Sequence, residues 1–383
     1  MKFNVVNIIN SFIGKKGNIG LRTSYIINEL NIQKIKNFSY SRGVVQGFEK
    51  NNKNMGVFGQ IPRILNAIRI YINENYNHRK HDVWLFDKWF NLVFRDTKIS
   101  NSKIAHIWEH SPKIIQKMKD LGYVTILDVP IGPNSTSKEL MNKFSDIITL
   151  HPHEYNLELE KKSYKLVDYI IAPSVFVRDE LLKLSVDEDK IFLVPFGAKY
   201  DEVNKEFVKD YSNDGIDYCF AGAINKRKGV EFLLDAWDDE RFKNDRLHLC
   251  GRLFSDIEKI IKEKNFTNVI TPGFINTEEY FKKCDVYVFP SLLEGSSKSI
   301  YEAMNRSLPC ITTHNSGSVI EDGYDGFIVD IASSKQIKDK MLYFKENIKD
   351  IENMGNYAKE KIKKYSWDNY AKNVIDIYKK VVK

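Results

Sequence analysis

Short apolar runs alternate with helical patterns along much of the chain. In the second half, Asp217–Ala221, Arg246–Cys250, Asn268–Ile270, Asp285–Phe289, Leu308–Thr312 and Gly326–Asp330 read as strands. Helices are predicted between them at Val230–Trp237, Asp256–Glu263, Thr277–Lys283 and Ile300–Asn305. Runs without polar alternation, such as Val286-Tyr-Val-Phe289, fit strands covered on both faces. Strands alternating with crossover helices predict a doubly wound α/β domain.

The first half repeats the alternation less regularly. Phe3–Ile9, Asp82–Phe86, Lys103–Ile107, Tyr123–Asp128, Tyr169–Ala172 and Ile191–Val194 read as strands. Helices are expected near Arg22–Leu30, Pro62–Asn73, Pro112–Leu121, His153–Leu166 and Phe176–Leu184. The stretch Phe196–Gly215 is charged and aperiodic, which makes it the expected linker. Residues 335–383 read as almost wholly helical. Such sheets bind ligands at the carboxyl ends of their strands, so the chemistry is sought there.

Composition narrows this picture. A 383-residue chain with 43% hydrophobic and 28% charged residues is globular rather than disordered. No apolar run reaches the ~20 residues of a membrane span, and the first ten residues read as a strand rather than a signal peptide. Cys219, Cys250, Cys284 and Cys310 lie in or beside apolar runs without CxxC spacing. They are expected to be buried, reduced thiols of a cytoplasmic protein. The net charge is +7, but residues 1–120 hold 20 Lys+Arg against 8 Asp+Glu, and the remainder holds 38 against 43. A basic first third on a slightly acidic remainder points to an anionic partner for one lobe.

The richest segment is Phe289-Pro-Ser-Leu-Leu-Glu294-Gly-Ser-Ser-Lys-Ser-Ile-Tyr-Glu302. Glu294 falls in the loop after a strand. Ser299 and Glu302 have the spacing of a helix capping box. The amides of Ser297, Lys298 and Ser299 are expected at the helix N-terminus, where a phosphate can bind. Two carboxylates flanking an anion site suit a sugar nucleotide. A solvated loop glutamate plus a capping glutamate would produce the same spacing. A second segment, Gly222-Ala-Ile-Asn-Lys226-Arg227-Lys228-Gly229, follows the first strand of the second half. Its three cations can pair with a diphosphate or form a solvated basic turn.

Together these segments resemble retaining glycosyltransferases of family 4. Glu294 to Glu302 is similar to that family's E-x7-E motif. Supporting stretches are Ala303–Thr313, Gly317–Asp330, Asp168–Ser174, Val194–Gly197 and Ser366-Trp367. The resemblance implies an α/β GT-B fold, with two Rossmann-like doubly wound domains facing across a cleft. Residues 1–196 would bind the acceptor and 197–365 the nucleotide sugar, and 366–383 would form a helix crossing back. It implies that Glu294 contacts the donor sugar and Glu302 the ribose. Lys228 matches the diphosphate lysine, with Arg227, Gly222 and Gly295 beside it, and Arg252 and Phe274 lie near the base. The motif's arginine is replaced by Ala223, and Ser296-Ser-Lys replaces its commoner F-G-L.

In the first half, Gly14-Lys-Lys-Gly17-Asn18-Ile-Gly20 resembles the family's glycine loop near the acceptor. It is not a Walker loop, because Lys-Ser/Thr does not follow the last glycine. His110, backed by Glu109, is the residue that the resemblance places near the donor sugar. Asp128 is read as another polar group aimed at the cleft. His106-Ile-Trp-Glu109-His110 also spells H-x-x-E-H. A zinc site of that kind needs a helix, and this segment reads as a strand. Asp187-Glu-Asp189 is read as a solvated turn rather than a metal motif. His151 and His153 are read as helix-start or surface residues. Trp84 and Phe86 are expected in the core of a strand, whereas Trp89 and Phe90 stay open between core, base stacking and lipid contact.

The resulting expectation is a metal-independent transferase. It would move a sugar, with retention, from a nucleoside diphosphate sugar to a hydroxyl of a glycan or lipid-linked acceptor in surface polysaccharide synthesis. No nucleic-acid partner is expected, and an anionic membrane surface is a candidate partner for Lys15, Lys16, Arg63 and Arg69. Two alternatives stay open: a nucleotide-sugar isomerase or epimerase on the same fold, and a non-catalytic nucleotide-sugar or glycan-binding protein. A nicotinamide enzyme is disfavoured, because no G-x-G-x-x-G follows a strand.

Overall fold

The computed structural model describes residues 3–15, 18–61, 64, 66–67, 78–96, 102–145, 153–199 and 215–382. Lys16, Gly17, Arg63, Arg69, His151, most of the helix expected at 62–73 and most of the expected linker lie outside these residues.

Two parallel sheets form, as the alternation predicts. The first has the order β3-β2-β1-β4-β5-β6-β7. Its strands are β1 (Asn4–Ile13), β2 (Lys36–Val44), β3 (Asn52–Asn54), β4 (Lys103–Ile107), β5 (Val124–Asp128), β6 (Tyr169–Ala172) and β7 (Ile191–Leu193). The second has the order β10-β9-β8-β11-β12-β13. It contains β8 (Asp217–Ala221), β9 (Arg246–Cys250), β10 (Val269–Gly273), β11 (Val286–Phe289), β12 (Cys310–Thr313) and β13 (Gly326–Val329). In each sheet the order reverses beside the first strand, between β1 and β4 and between β8 and β11. A crevice opens at such a reversal because successive crossovers leave on opposite faces.

Contacts divide the chain into two units. The first comprises Met1–Glu139, Leu150–Val194 and Trp367–Lys383, and the second Leu140–Thr149 and Pro195–Ser366. The helix Trp367–Val381 therefore joins the first unit, although it follows the second in sequence. Its Trp367 stacks on Tyr25 with ring centroids 5.8 Å apart. The four cysteines are buried and free, as expected.

The first unit departs from expectation in two places. The run Asp82–Phe86 is not a strand but part of the helix His78–Val93. Phe86 and Phe90 are buried at helical spacing, while Trp84, expected in the core, is 52% exposed. A continuous apolar run fits either period, and here the longer pattern through Phe90 and Phe94 decides it. Strand β2 also escapes a hydrophobic scan, since its sequence is Lys-Asn-Phe-Ser-Tyr-Ser-Arg-Gly-Val. It is held by parallel pairing to β1 and by Tyr40, whose ring lies 5.2 Å from Phe90 and 5.4 Å from Phe94.

Candidate functional site

The two sequence segments meet at the reversal of the second sheet. β8 pairs directly with β11, Tyr218 opposite Val286 and Cys219 opposite Tyr287. The loops leaving their carboxyl ends are therefore neighbours. The first continues through Gly222 into a 3-10 turn, Lys226–Lys228, capped by the side chain of Asn225. Gly229 ends that turn at φ +71° and opens the helix Val230–Trp237. A Cβ at Gly229 would stand 2.0 Å from the Pro290 carbonyl oxygen of the second loop. Glycine is required there for backbone conformation and for the close approach of the two loops. The amide of Leu292 donates to the Arg227 carbonyl at 3.0 Å and closes the pair.

Side chains converge across this junction. Lys228 Nζ and Arg227 Nη1 both donate to Glu294 Oε1, the latter at 2.8 Å. Ser291 Oγ donates to the same oxygen at 3.1 Å, and Arg227 Nη1 also reaches the Leu293 carbonyl at 2.6 Å. Burial alone would raise the Glu294 carboxyl, but Lys228 and Arg227 outweigh it and hold the group below its ordinary value. Burial lowers the Lys228 ammonium, and Arg227 adds to that effect while Glu294 opposes it. The cluster is thus a carboxylate held between two cations, with Lys228 lying 5.2 Å from the Phe289 ring centroid.

Glu302 sits one helical turn further in. The helix runs Lys298–Met304 with Ser297 as its N-cap, and no side chain caps it. The expected Ser299–Glu302 capping box does not form, because Ser299 is already inside the helix. Glu302 instead accepts from Thr277 Oγ1 at 3.1 Å and pairs with Lys298 Nζ at 2.7 Å. Nor is the Ser297 amide open to a phosphate, since it donates to the Ser316 carbonyl at 3.1 Å. Lys298 and Ser299 supply the first two helical amides, with Gly295 in the preceding loop. Neighbouring loops align on the same edge. Gly222 N donates to the Cys250 carbonyl at 2.9 Å, Ile224 N to Arg252 at 2.8 Å, and Gly251 N to Gly273 at 2.7 Å. Arg252, stacked 4.9 Å over Phe254, therefore lies beside the Gly222–Lys228 loop, and the 86% exposed Phe274 follows β10 further along the same edge.

The first unit places its candidates differently. Gly17 lies outside the described residues, and Asn18 starts the helix Asn18–Ile32. Gly20 lies in its first turn, where a Cβ would meet the Phe12 carbonyl oxygen at 2.3 Å. Asp128 does not face solvent, contrary to expectation. It is fully buried against the fully buried Arg22, with Nη2–Oδ2 at 2.5 Å. Arg22 Nε also donates to Tyr370 Oη at 3.0 Å, and its guanidinium stacks 4.8 Å over Trp108. These two residues tie β5, the helix Asn18–Ile32 and the helix Trp367–Val381 into one core. His106 points into the same core, with Nδ1 and Tyr378 Oη at 2.6 Å.

His110 follows β4 and is half-buried. Its amide donates to Glu109 Oε1 at 3.0 Å, and its Nε2 lies 3.7 Å from Glu160 Oε1. Burial holds its imidazole down at about 4, with Arg79 assisting and Glu109 opposing. Burial likewise pushes Glu160 up to about 7, against two hydrogen bonds from Asn134. His110 is therefore neutral at pH 7 and suited to hydrogen bonding. Sequence reasoning missed Glu160 and the network around Glu109. Glu109 Oε2 accepts from Asn10 at 2.9 Å and from Arg79 at 2.6 Å, and Arg42 bridges Asn10 and Asp82. These residues come from four separate segments, so no spacing signals them. Among the described residues no group of His, Cys, Asp or Glu could hold a metal ion. His106 lies on β4 and Glu109 and His110 follow it, so the H-x-x-E-H letters fall on no helix.

Residues 203–361 match the family model "Glycosyl transferases group 1". An uncharacterized glycosyltransferase of Methanocaldococcus jannaschii is 32% identical over 190 residues, covering 48% of this chain and 53% of that protein. A capsular polysaccharide biosynthesis glycosyltransferase of Staphylococcus aureus is 26% identical over 205 residues, covering 48% and 53%. The alignments thus span about half the length of these two curated relatives. A crystal structure of Staphylococcus aureus TarM, in complex with fondaparinux, alpha-GlcNAc-glycerol and UDP, superposes with a TM-score of 0.67. It covers 99% of this chain and 100% of that one at 14% identity, which speaks for the fold alone. Residues 203–361 are thus a glycosyl transferases group 1 domain, carried on a chain with the GT-B fold.

Proposed function

We propose that the chain is a retaining glycosyltransferase. It moves a sugar from a nucleoside diphosphate sugar to a hydroxyl of a glycan or lipid-linked acceptor, in surface polysaccharide synthesis. The observation that carries this is the Lys228–Glu294–Arg227 cluster at the reversal of the second sheet. Lys228 and Arg227 are placed to receive the diphosphate and to balance the charge that grows on it as the glycosidic bond breaks. In this reading Arg227 takes the place of the motif arginine that Ala223 replaces. Glu294 orients both cations and presents its second oxygen to sugar hydroxyls. Glu302 takes the ribose hydroxyls, and Arg252 and Phe274 frame the base. In the first unit His110, neutral, is available to hydrogen-bond a sugar hydroxyl. No step is assigned to a metal ion. The relatives' printed roles in capsule synthesis and UDP complexes favour this chemistry.

The test is a panel of nucleotide sugars scored first by thermal shift and then by nucleotide release with glycan acceptors. Release that requires acceptor, and falls about ten-fold or more in Lys228→Ala and Glu302→Ala, supports the reading. Wild-type rates in both variants overturn the site. An altered sugar nucleotide formed without acceptor would make the protein an isomerase.

A further inference from the structure

The helix Glu154–Leu166 turns a polar face inward. Positions three and four apart on a helix are neighbours, so Asn156, Glu160, Ser163 and Tyr164 share one side. Glu160, Ser163 and Tyr164 are buried. Glu160 reaches the loop after β4, where its Oε1 lies 3.7 Å from His110 Nε2. Asn134 fixes the carboxyl, its Nδ2 donating to Oε1 at 2.7 Å and its backbone N to Oε2 at 2.9 Å. Tyr164 stands edge-on to the imidazole, with ring centroids 5.3 Å apart. His110 Nδ1 and Tyr164 Oη are buried polar atoms without a hydrogen-bond partner among the described residues. Such atoms are rare, and they mark where an incoming hydroxyl can pair. The other charged groups facing the imidazole are Glu109 on its own loop and Arg79 from the helix His78–Val93. They pair with each other at 2.6 Å, which leaves Glu160 as the carboxyl opposite Nε2.

We propose that Glu160 is the positioning residue for His110, setting which ring nitrogen carries the proton and so whether Nδ1 meets a sugar hydroxyl as donor or acceptor. In a neutral imidazole the protonated nitrogen is decided by the hydrogen bond that the other nitrogen makes. The 3.7 Å contact is slightly long for that bond, and contacts of this kind tighten as substrate binds. Burial pushes Glu160 up to about 7 and holds His110 down at about 4. Between those values both groups are neutral. The carboxylic acid then donates to Nε2, and the ring proton sits on Nδ1. Above about 7 the carboxylate accepts from Nε2–H, and Nδ1 becomes a bare acceptor. The balance is one proton: the acid's proton passes to Nε2, and the Nδ1 proton leaves to solvent. The use of this device on a sugar rests on the transferase reading, but the proton placement does not.

The experiment is a pH titration of the purified chain carrying histidine labelled with a heavy nitrogen isotope, followed by magnetic resonance of the ring nitrogens. His110→Gln identifies the His110 signals by their loss. The wild-type ring is expected to pass from the Nδ1–H to the Nε2–H form with a midpoint of about 7. In Glu160→Gln, whose amide does not titrate, that change should be lost. Asn134→Ala keeps the glutamate but removes one donor that favours the carboxylate, so its midpoint should move above that of wild type. A single ring form at every pH in the wild type, or an unchanged midpoint in either variant, overturns the proposal. Kinetics tie the device to the reaction. The kcat/KM for transfer should bend near the same midpoint in wild type and run flat through it in Glu160→Gln, and a bend that persists in that variant overturns the positioning role. A ring change without sugar transfer at any pH would fail the transferase reading and leave the proton placement standing.

Discussion

The two units treat charge in opposite ways. The second gathers Lys228, Arg227 and Glu294 in loops beyond the strand ends, where each remains within reach of solvent. The first withdraws Arg22 and Asp128 wholly into its core and completes them with Tyr370. Desolvated charge is costly in either place. The difference lies in what satisfies it. In the second unit the partners are loop residues that each keep part of their surface in solvent. In the first they are fully buried side chains from strands and helices of the fold.

The comparison can be broken by mutation. Arg22→Met should cost the most, about 3–5 kcal/mol of stability, because it strands the Asp128 carboxylate. Denaturant unfolding followed by tryptophan emission measures this, and Arg22→Met/Asp128→Leu should recover most of the loss. If Arg22→Met is neutral, the pair is not a core clamp. Lys228→Ala should leave unfolding within about 1 kcal/mol of wild type, while transfer falls about ten-fold or more. The reverse outcome would make Lys228 structural and erase the contrast.

Proton linkage sharpens the contrast further. Glu160 has a folded value of about 7, above its unfolded 4.5. Its contribution is therefore full below the unfolded value and lost as pH rises through about 7. His110 has a folded value of about 4, below its unfolded 6.5. Its contribution is present above the unfolded value and lost as pH falls through about 4. Glu160→Gln should remove the part of the decline that extends to about 7, leaving the histidine's rise and the earlier decline from Asp87, which burial pushes up to about 6. Stability profiles between pH 4 and 8 would show this, and an unchanged slope would refute it. The smallest effect belongs to the exposed Glu258–Lys262 pair at 2.7 Å, where Lys262→Ala should shift unfolding by no more than about 0.5 kcal/mol.

Legibility in the sequence follows the same division. β8, β9 and the helix Val230–Trp237 have the limits that their apolar runs predict, because strands covered on both faces read as unbroken runs. The meeting of the Gly222–Gly229 and Pro290–Glu302 segments is also legible, since both follow strands that lie side by side. The first unit hides more. β2 carries serines and arginine where a strand scan seeks valines, and its burial comes from rings on a distant helix. Asp82–Phe86 is apolar under either period, and only Phe90 and Phe94 reveal the turn of the helix. Asp128 looks like a ligand-facing strand end because its partner, Arg22, lies 106 residues away. The Ser299–Glu302 spacing suggests a cap, but the loop enters the helix two residues earlier.

The helix Trp367–Val381 has a consequence for synthesis of the chain. Tyr370 meets an arginine 348 residues earlier, and Tyr378 a histidine 272 residues earlier. As the polypeptide leaves the ribosome, residues 217–329 can assemble their sheet while the older strands still lack these two tyrosines. Contacts so distant in sequence are slow to form, and incomplete intermediates expose apolar surface. The segment made first is therefore finished last. The nascent chain must shelter an unclosed core for the whole time that the second unit takes to emerge.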